Sequence, residues 1–452
     1  MASRTTVTIP KQLESQRKNL ARLTIVPAAR ESNKKSSLPN VAYAMAAGLA
    51  VRLATMMFLY PDRLDPWRGH WRFAWEMGMV ARSLATGKGF SSPFPPDTGA
   101  TAWLGPVYPA VIAGAFKTFG LFTAASAIAL LTLNSIFSVL TCIPIFLIAR
   151  QTMGERQARW ATWIWALFPY AIYISAGRIW ENALTTFLLT VLVWYTLVLE
   201  KRATRLLWAG YGSLWALTAL TNASTCALLP LLALWIAWRR FRRGERWLGG
   251  AAIGAILFLL FLAPWQIRNY NTFGHFIPLR NNFWMEVRVG NTGDITDVYQ
   301  DSAHPARNDE ELALYRQLGE SAYMARTRKL ATTFVRENPG EYAWLTVKRV
   351  VFTWTGFWSL NPVYMKNEPF QFPNTFFCTS VTLLALVGLR RLWRMRKEWV
   401  APYVIALAFF PLVYYVTHPG MDYRHPIDPL IVILVAGGVV GFMQRRTRAE
   451  IH

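Results

Sequence analysis

The side chains in this chain that could do acid–base or phosphate chemistry gather beside its apolar runs. The first acid-bearing stretch reads His70-Trp-Arg72-Phe-Ala-Trp-Glu76-Met-Gly, and it continues through Ala81-Arg-Ser-Leu-Ala-Thr-Gly87-Lys-Gly-Phe90 to Leu104-Gly-Pro-Val-Tyr108-Pro. A second acid opens a later apolar run, in Gly177-Arg-Ile-Trp-Glu181-Asn-Ala-Leu. Glu181 sits among Ile179, Trp180 and Ala183, where loss of water should raise a carboxyl pKa toward that of a usable base. A helix N-terminal carboxylate, stabilised by the macrodipole, is the plainer alternative. Glu76 lies on the run Trp75–Leu84, which suits a helix; Arg72, four residues earlier, shares its face, so a solvated ion pair stays open.

The basic counterparts are Trp265-Gln-Ile-Arg268-Asn-Tyr270, then His275-Phe-Ile-Pro-Leu-Arg280, and near the end His418-Pro-Gly-Met-Asp-Tyr423-Arg424-His425. Arginines at span ends beside Tyr and His make a phosphate clamp, since guanidinium presents a donor fork to phosphate oxygens; anchoring to lipid headgroups is the competing role. The remaining external acids include Asp62, Asp65, Asp97, Glu286, Asp294, Asp297, Asp422 and Asp428. No Gly-x4-Gly-Lys-Ser/Thr loop, His-Glu-x-x-His helix or Cys/His ligand spacing occurs, so no metal ligand set is read from the sequence.

The elements that must position these groups are membrane helices. The 452 residues are 53% hydrophobic and only 16% charged, and uncharged apolar stretches of about 17–25 residues recur, long enough to cross a bilayer. About ten such spans are expected, near 41–60, 122–149, 158–176, 182–199, 206–221, 223–238, 248–266, 374–390, 399–417 and 426–443. The net charge of +23 resides mainly in the N-terminal tail and in short links at 150, 200, 239, 390 and 444, which is the positive-inside pattern and not a nucleic-acid footprint. Cys142, Cys226 and Cys378 all fall in apolar runs and form no disulfide framework.

Charge parity then draws the topology. Residues 1–37 read as a disordered basic cytoplasmic tail, and 38–266 as an N-terminal membrane module with an external loop at 61–121. Residues 267–373 read as an external loop or small cap with a charged helix near Asp309–Arg336, 374–443 as C-terminal membrane helices, and 444–452 as a cytoplasmic tail. A crossing by residues 104–120 would put the Arg150 link outside and one by 344–358 the link at 390, so both read as interfacial helices; Pro106, Pro109, Lys117, Lys348 and Arg349 agree. The whole is an all-α polytopic membrane protein. Polar residues inside the spans are few (Arg52, Asn134, Asn222), and no acid lies near a midplane, which speaks against an ion-coupled transporter.

These motifs resemble the GT-C-type, polyprenyl-phosphate-sugar-dependent glycosyltransferases, a group that includes protein O-mannosyltransferases and the aminoarabinose transferase of lipid A. The likeness rests on an acid after span one followed by Ala-Arg-Ser-Leu-Ala-Thr-Gly87-Lys-Gly-Phe, on Pro-Val-Tyr108-Pro, on Trp-Glu181-Asn-Ala-Leu, and on the late Tyr423-Arg424-His425 run. Two departures stand out: Arg72-Phe73 occupies the place of the family's earlier acid, and the lysine near its Pro-Pro-Leu-Tyr element is missing from Ala102–Pro106.

The resemblance implies a multi-pass enzyme of the cell inner (cytoplasmic) membrane with an extracytoplasmic active site. It would move a hexosyl- or pentosyl-type sugar from a polyprenyl-phosphate-linked donor to a lipid, glycan or protein acceptor, with inversion. Glu76 or Glu181 would be the general base. Arg268, Arg280, Tyr423, Arg424 and His425 would hold the donor phosphate, with Arg72, Tyr108 and His275 as acceptor or loop candidates. No resident cofactor is implied, and a divalent cation stays open as an auxiliary. A lipid-linked glycan polymerase or ligase, and a lipid-glycan flippase without chemistry, are the alternatives.

Overall fold

In the computed structural model, residues 38–59, 73–292, 301–367 and 370–449 are described. Arg72 and the expected tail at 1–37 therefore lie outside the described residues. Residues 41–452 form one compact unit, and 1–40 a separate one of which 38–40 are described. Among the described residues the chain is helical with no β-strand, only an isolated antiparallel bridge between Ser91 and Ala100.

Among the described residues, seven helical segments are long and apolar enough to cross a membrane: Asn40–Phe58, Ala124–Thr152, Asn182–Lys201, Leu248–Phe273, Gln371–Met395, Lys397–Val416 and Met421–Met443. The other three expected spans are present as shorter or interrupted helices. The run at 158–176 breaks into Glu155–Ala166 and Pro169–Gly177, because Phe168 precedes a proline and takes an extended backbone (φ −68°, ψ 119°). The run at 206–221 is the helix Arg205–Thr221, whose 17 residues sit at the lower limit for a crossing. The run at 223–238 starts with a tight turn, Ala223–Ala227, capped by the Asn222 side chain, and only then becomes the helix Leu229–Arg242.

The two segments read as interfacial are the helices Val107–Phe119 and Pro339–Thr355, neither of them among the seven. The second leaves Trp344, Val347 and Val351 exposed beside Lys348, as an apolar face on a membrane surface would be. The charged region before it is two helices, Asp309–Leu318 and Glu320–Glu337, hinged at Gly319. The last helix continues from Asp428 to Ala449, so the expected tail at 444 begins as helix.

Burial ranks the spans. The window of Met421–Met443 is 83% buried inside the protein and that of Leu248–Phe273 only 17%, so the former is an internal pillar and the latter a lipid-facing wall. Gln371–Met395 packs along the pillar, and Arg205–Thr221 packs on Leu248–Phe273. Arg52 is buried, and its Nε and Nη1 donate to Ser138, Ser175 and the carbonyls of Gly48 and Ala166, so neutral acceptors and not an acid hold it inside the bundle.

Candidate active site

The break at Phe168 has a consequence for Glu181. The helix Pro169–Gly177 ends where Arg178 turns extended, and the chain re-enters helix at Asn182. Glu181 is therefore the residue that caps a long span, yet its side chain makes no capping bond. The carboxylate is 4% exposed. Oε1 accepts one long contact, 3.5 Å, from Asn222 Nδ2, and Oε2 has no hydrogen-bond partner among the described residues. Burial is the main cause that raises its pKa to about 7; the charge of Arg280 opposes and that of Glu286 assists.

Glu181 lines a cavity of about 310 Å³, within the range of small-ligand pockets. Its walls also carry Trp180, Asn222, Arg280, Glu286, His418 and Tyr423. Arg280 is oriented by Asn282, to whose Oδ1 its Nε donates at 2.5 Å, and its Nη2 lies 3.6 Å from Glu286 Oε1. Asn282 Nδ2 donates to the same Oε1 at 2.6 Å, while His418 Nε2 lies 2.8 Å from Glu286 Oε2. Burial alone would raise the Glu286 pKa, but the hydrogen bond and charge of His418, with Arg280 and His304, hold it down to about 2.

Two close approaches place these groups. Gly290 ends the helix Phe283–Gly290 directly against the carbonyl of Thr417, so any side chain there would push the Glu286 helix away from His418. Arg349, fully buried, donates to the Gly290 carbonyl, to Asn291 Oδ1 at 2.9 Å and to the Tyr415 carbonyl at 3.3 Å, clamping the same two segments. A second buried acid supports the floor: Glu320 accepts from Thr101 Oγ1 (2.5 Å), the Ala102 amide (2.9 Å), Tyr315 (2.9 Å) and Asn281 (3.4 Å). It thereby ties the first loop to the residue next to Arg280.

Glu76 stands at the edge of this cluster. It opens the helix Glu76–Ala85, preceded by three residues with positive φ, Phe73 (56°), Ala74 (60°) and Trp75 (48°). Such a left-handed run is costly outside glycine and is kept only where surroundings demand it. Gly78 permits it, because a Cβ there would collide with the Phe73 carbonyl. The helix therefore does not run back from Glu76 through residues 73–75, and Arg72, expected to share its face, lies outside the described residues. Glu76 is buried, with His304 Nε2 at 3.7 Å; burial raises its pKa to about 7, with Glu286 assisting and Arg280 and Arg307 opposing. Its neighbour Met77 lines the cavity.

The amino-acid sequence matches no family model and no curated protein. Solved structures do match. The oligosaccharyltransferase of Archaeoglobus fulgidus, determined with Zn and sulfate, aligns with a TM-score of 0.50 at 12% identity, over 89% of this chain and 49% of that one. The fold is similar to that of an archaeal oligosaccharyltransferase. The chain spans about half the length of that protein. ArnT from Cupriavidus metallidurans, bound to undecaprenyl phosphate, aligns with a TM-score of 0.38 at 13% identity, over 90% of this chain and 78% of that one.

Of the residues singled out from the sequence, the structure brings Glu181, Arg280 and Tyr423 into one cavity, with Glu76 beside it. Tyr423 stacks on Tyr414 at 4.9 Å within the wall. The others are placed elsewhere. Arg268 donates to the carbonyls of Thr101 (2.6 Å) and Phe90 (2.7 Å) and lines a separate open hollow with Lys88 and Asp97. Arg424 is buried and donates to Asp428 (3.0 Å) and the Thr353 carbonyl (3.1 Å). His425 contacts the same Asp428 and stacks on Trp165, so both hold the last pillar in place. Tyr108 is buried and donates to Asn134 (2.9 Å), and His275 is exposed.

Glu286 and His418 were visible in the sequence only as one acid and one histidine at opposite ends of long segments, and nothing local joins them. Asn222 stood out only as one of the few polar residues within the apolar runs, and Asn282 carried no signal beyond its position at a helix end. Among the described residues, no group of three or more His, Cys, Asp and Glu side chains could hold a metal ion.

Proposed function

We propose that this chain is an integral membrane glycosyltransferase. It moves a sugar from a polyprenyl-phosphate-linked donor to an acceptor hydroxyl or amine at the extracytoplasmic face of the inner membrane. The observation that carries this reading is Glu181: a buried carboxylate with a free oxygen among the described residues, on the wall of a cavity that also holds Arg280. A structural acid in such a place would be bonded on both oxygens, since an unmet buried acceptor costs stability.

In the reaction, Glu181 takes the proton of the acceptor as its oxygen or nitrogen attacks the anomeric carbon. The bond from that carbon to the phosphate oxygen breaks, and the phosphate leaves as an anion toward Arg280. Attack from the side opposite the phosphate inverts the anomeric centre. A pKa near 7 suits a base working at neutral pH. A donor already in the membrane fits a site with no nucleotide-binding loop, and the positive-inside links support an outer-face cavity. Glu76, equally raised and next to the cavity, is the second candidate base.

The fold shared with an oligosaccharyltransferase favours one further reading, transfer of a longer lipid-linked glycan. The cavity of about 310 Å³ favours a single sugar. Purified protein in proteoliposomes, given either a monosaccharide or an oligosaccharide on a defined polyprenyl carrier, separates the two. Formation of a new glycosidic bond from the monosaccharide donor is expected, and Glu181→Gln should lower turnover about 10²–10⁴-fold. Movement of the donor across the bilayer without a new bond would overturn the reading in favour of a flippase.

A further inference from the structure

Glu286 is the part of the cavity that the proposed reaction does not use. Its two oxygens take up the cavity's hydrogen-bond donors one by one. Oε1 faces Arg280 and accepts from Asn282, and Oε2 meets His418. These are the groups that a phosphate in the cavity would require, because a phosphate oxygen wants the same charge-assisted donors as a carboxylate oxygen.

The acid is held loosely where it matters. Its distance to Arg280 Nη2 is 3.6 Å, beyond good hydrogen-bond length, whereas Asn282, a neutral amide, orients the guanidinium at 2.5 Å. Arg280 would thus keep its direction if the carboxylate left. Glu286 also has somewhere to go: its side chain is 27% exposed, so water can receive the charge, which the 4% exposure of Glu181 would not allow. The acids of the cap show the contrast. Glu311 is fixed by Arg288 through both guanidinium nitrogens, by Arg326 and by Tyr323, and lines no part of the cavity.

We infer that Glu286 is a resident counter-ion, neutralising Arg280 and occupying His418 in the empty cavity and displaced from them when the phosphate of the donor binds. The inference rests on the transferase reading and deepens it. The displaced carboxylate exchanges one anion for another at the same cations, so the empty site avoids leaving buried positive charge uncompensated. It also sets a threshold. A sugar without a phosphate cannot compete for Arg280 and His418, and only an anionic ligand completes the site.

The test is binding of geranyl phosphate, a soluble prenyl monophosphate, to the purified full chain in detergent by calorimetry. Glu286→Gln should bind it about tenfold or more tightly than wild type, because a like charge has been removed from an anion site. The gain should vanish in the double variant Glu286→Gln with Arg280→Gln. Equal or weaker binding by Glu286→Gln, with wild-type binding intact, would overturn the counter-ion role and leave the transferase reading standing. No binding by either protein would overturn the phosphate site itself. If the glutamine variant does not fold, Glu286→Asp, which draws the charge back by one methylene, should also bind more tightly than wild type, and failure to do so overturns the inference.

Discussion

Glu311 in the cap and Glu181 in the cavity are both buried, and the protein treats them in opposite ways. Glu311 accepts from Arg288 at 2.9 and 2.7 Å, from Tyr323 at 2.7 Å and from Arg326 at 3.0 Å. Burial would raise its pKa, but these bonds and charges outweigh it and lower the pKa to about 2. Glu181 has one 3.5 Å contact and a bare oxygen among the described residues, and its pKa rises to about 7. The difference separates an acid that holds the fold from an acid that is available to a substrate. Bond completion, more than burial, tells them apart.

The sharpest way to break that comparison is to neutralise each acid in turn. Glu181→Gln should lose about 10²–10⁴ of turnover and keep or gain thermal stability. Glu311→Gln should do the reverse. Removing one partner of a buried, multiply bonded ion pair costs about 3–5 kcal/mol, seen as a lowered unfolding temperature, while turnover per folded molecule stays close to wild type. If Glu311→Gln abolished transfer at full stability, the distinction would collapse.

A smaller effect follows from proton linkage. The Glu181 pKa is raised from 4.5 to about 7 in the folded protein, so between those values the folded state binds more protons than the unfolded one. Stability contributed by the protonated acid is present below about pH 4.5 and lost as pH rises through 7. Glu181→Gln should therefore unfold a few degrees above wild type at pH 8 and with it at pH 4.5. Unfolding curves at the two pH values check this, and a wild-type advantage at pH 8 would contradict a raised pKa.

The finest contrast is between arginines. Arg280→Lys should raise the donor KM, since lysine lacks the planar fork that Asn282 orients in the cavity. Arg268→Lys should leave the donor KM unchanged and lower stability slightly, because its fork serves two backbone carbonyls. Equal effects on KM would mean that the open hollow at Arg268 also binds donor.

Much of the architecture was legible from residues 38 onward. Apolar runs of span length and the shorter helices at 107–119, 309–318, 320–337 and 339–355 follow from composition within one window. The interruptions were less so. Pro169 is plain in the sequence, but whether a proline kinks or breaks an apolar run depends on what packs against the break. The three positive-φ residues before Glu76 were invisible, since Phe, Ala and Trp carry no preference for that conformation and only the space left by Gly78 admits it.

By itself the sequence determined that this is a helical membrane protein, with Glu181 at the head of a span and arginines at span ends. Hydropathy, charge bias and helix length are local properties, readable within about 20 residues. Tertiary structure alone decided which arginine reaches the cavity. Arg280, Arg268 and Arg424 look alike as residues at span ends, and packing sends the first to Glu181, the second to loop carbonyls and the third to Asp428. It also decided the pairing of Glu286 with His418, 132 residues away. No local preference specifies a contact across that distance; it arises where the Gly290 helix end meets Thr417 in the folded chain.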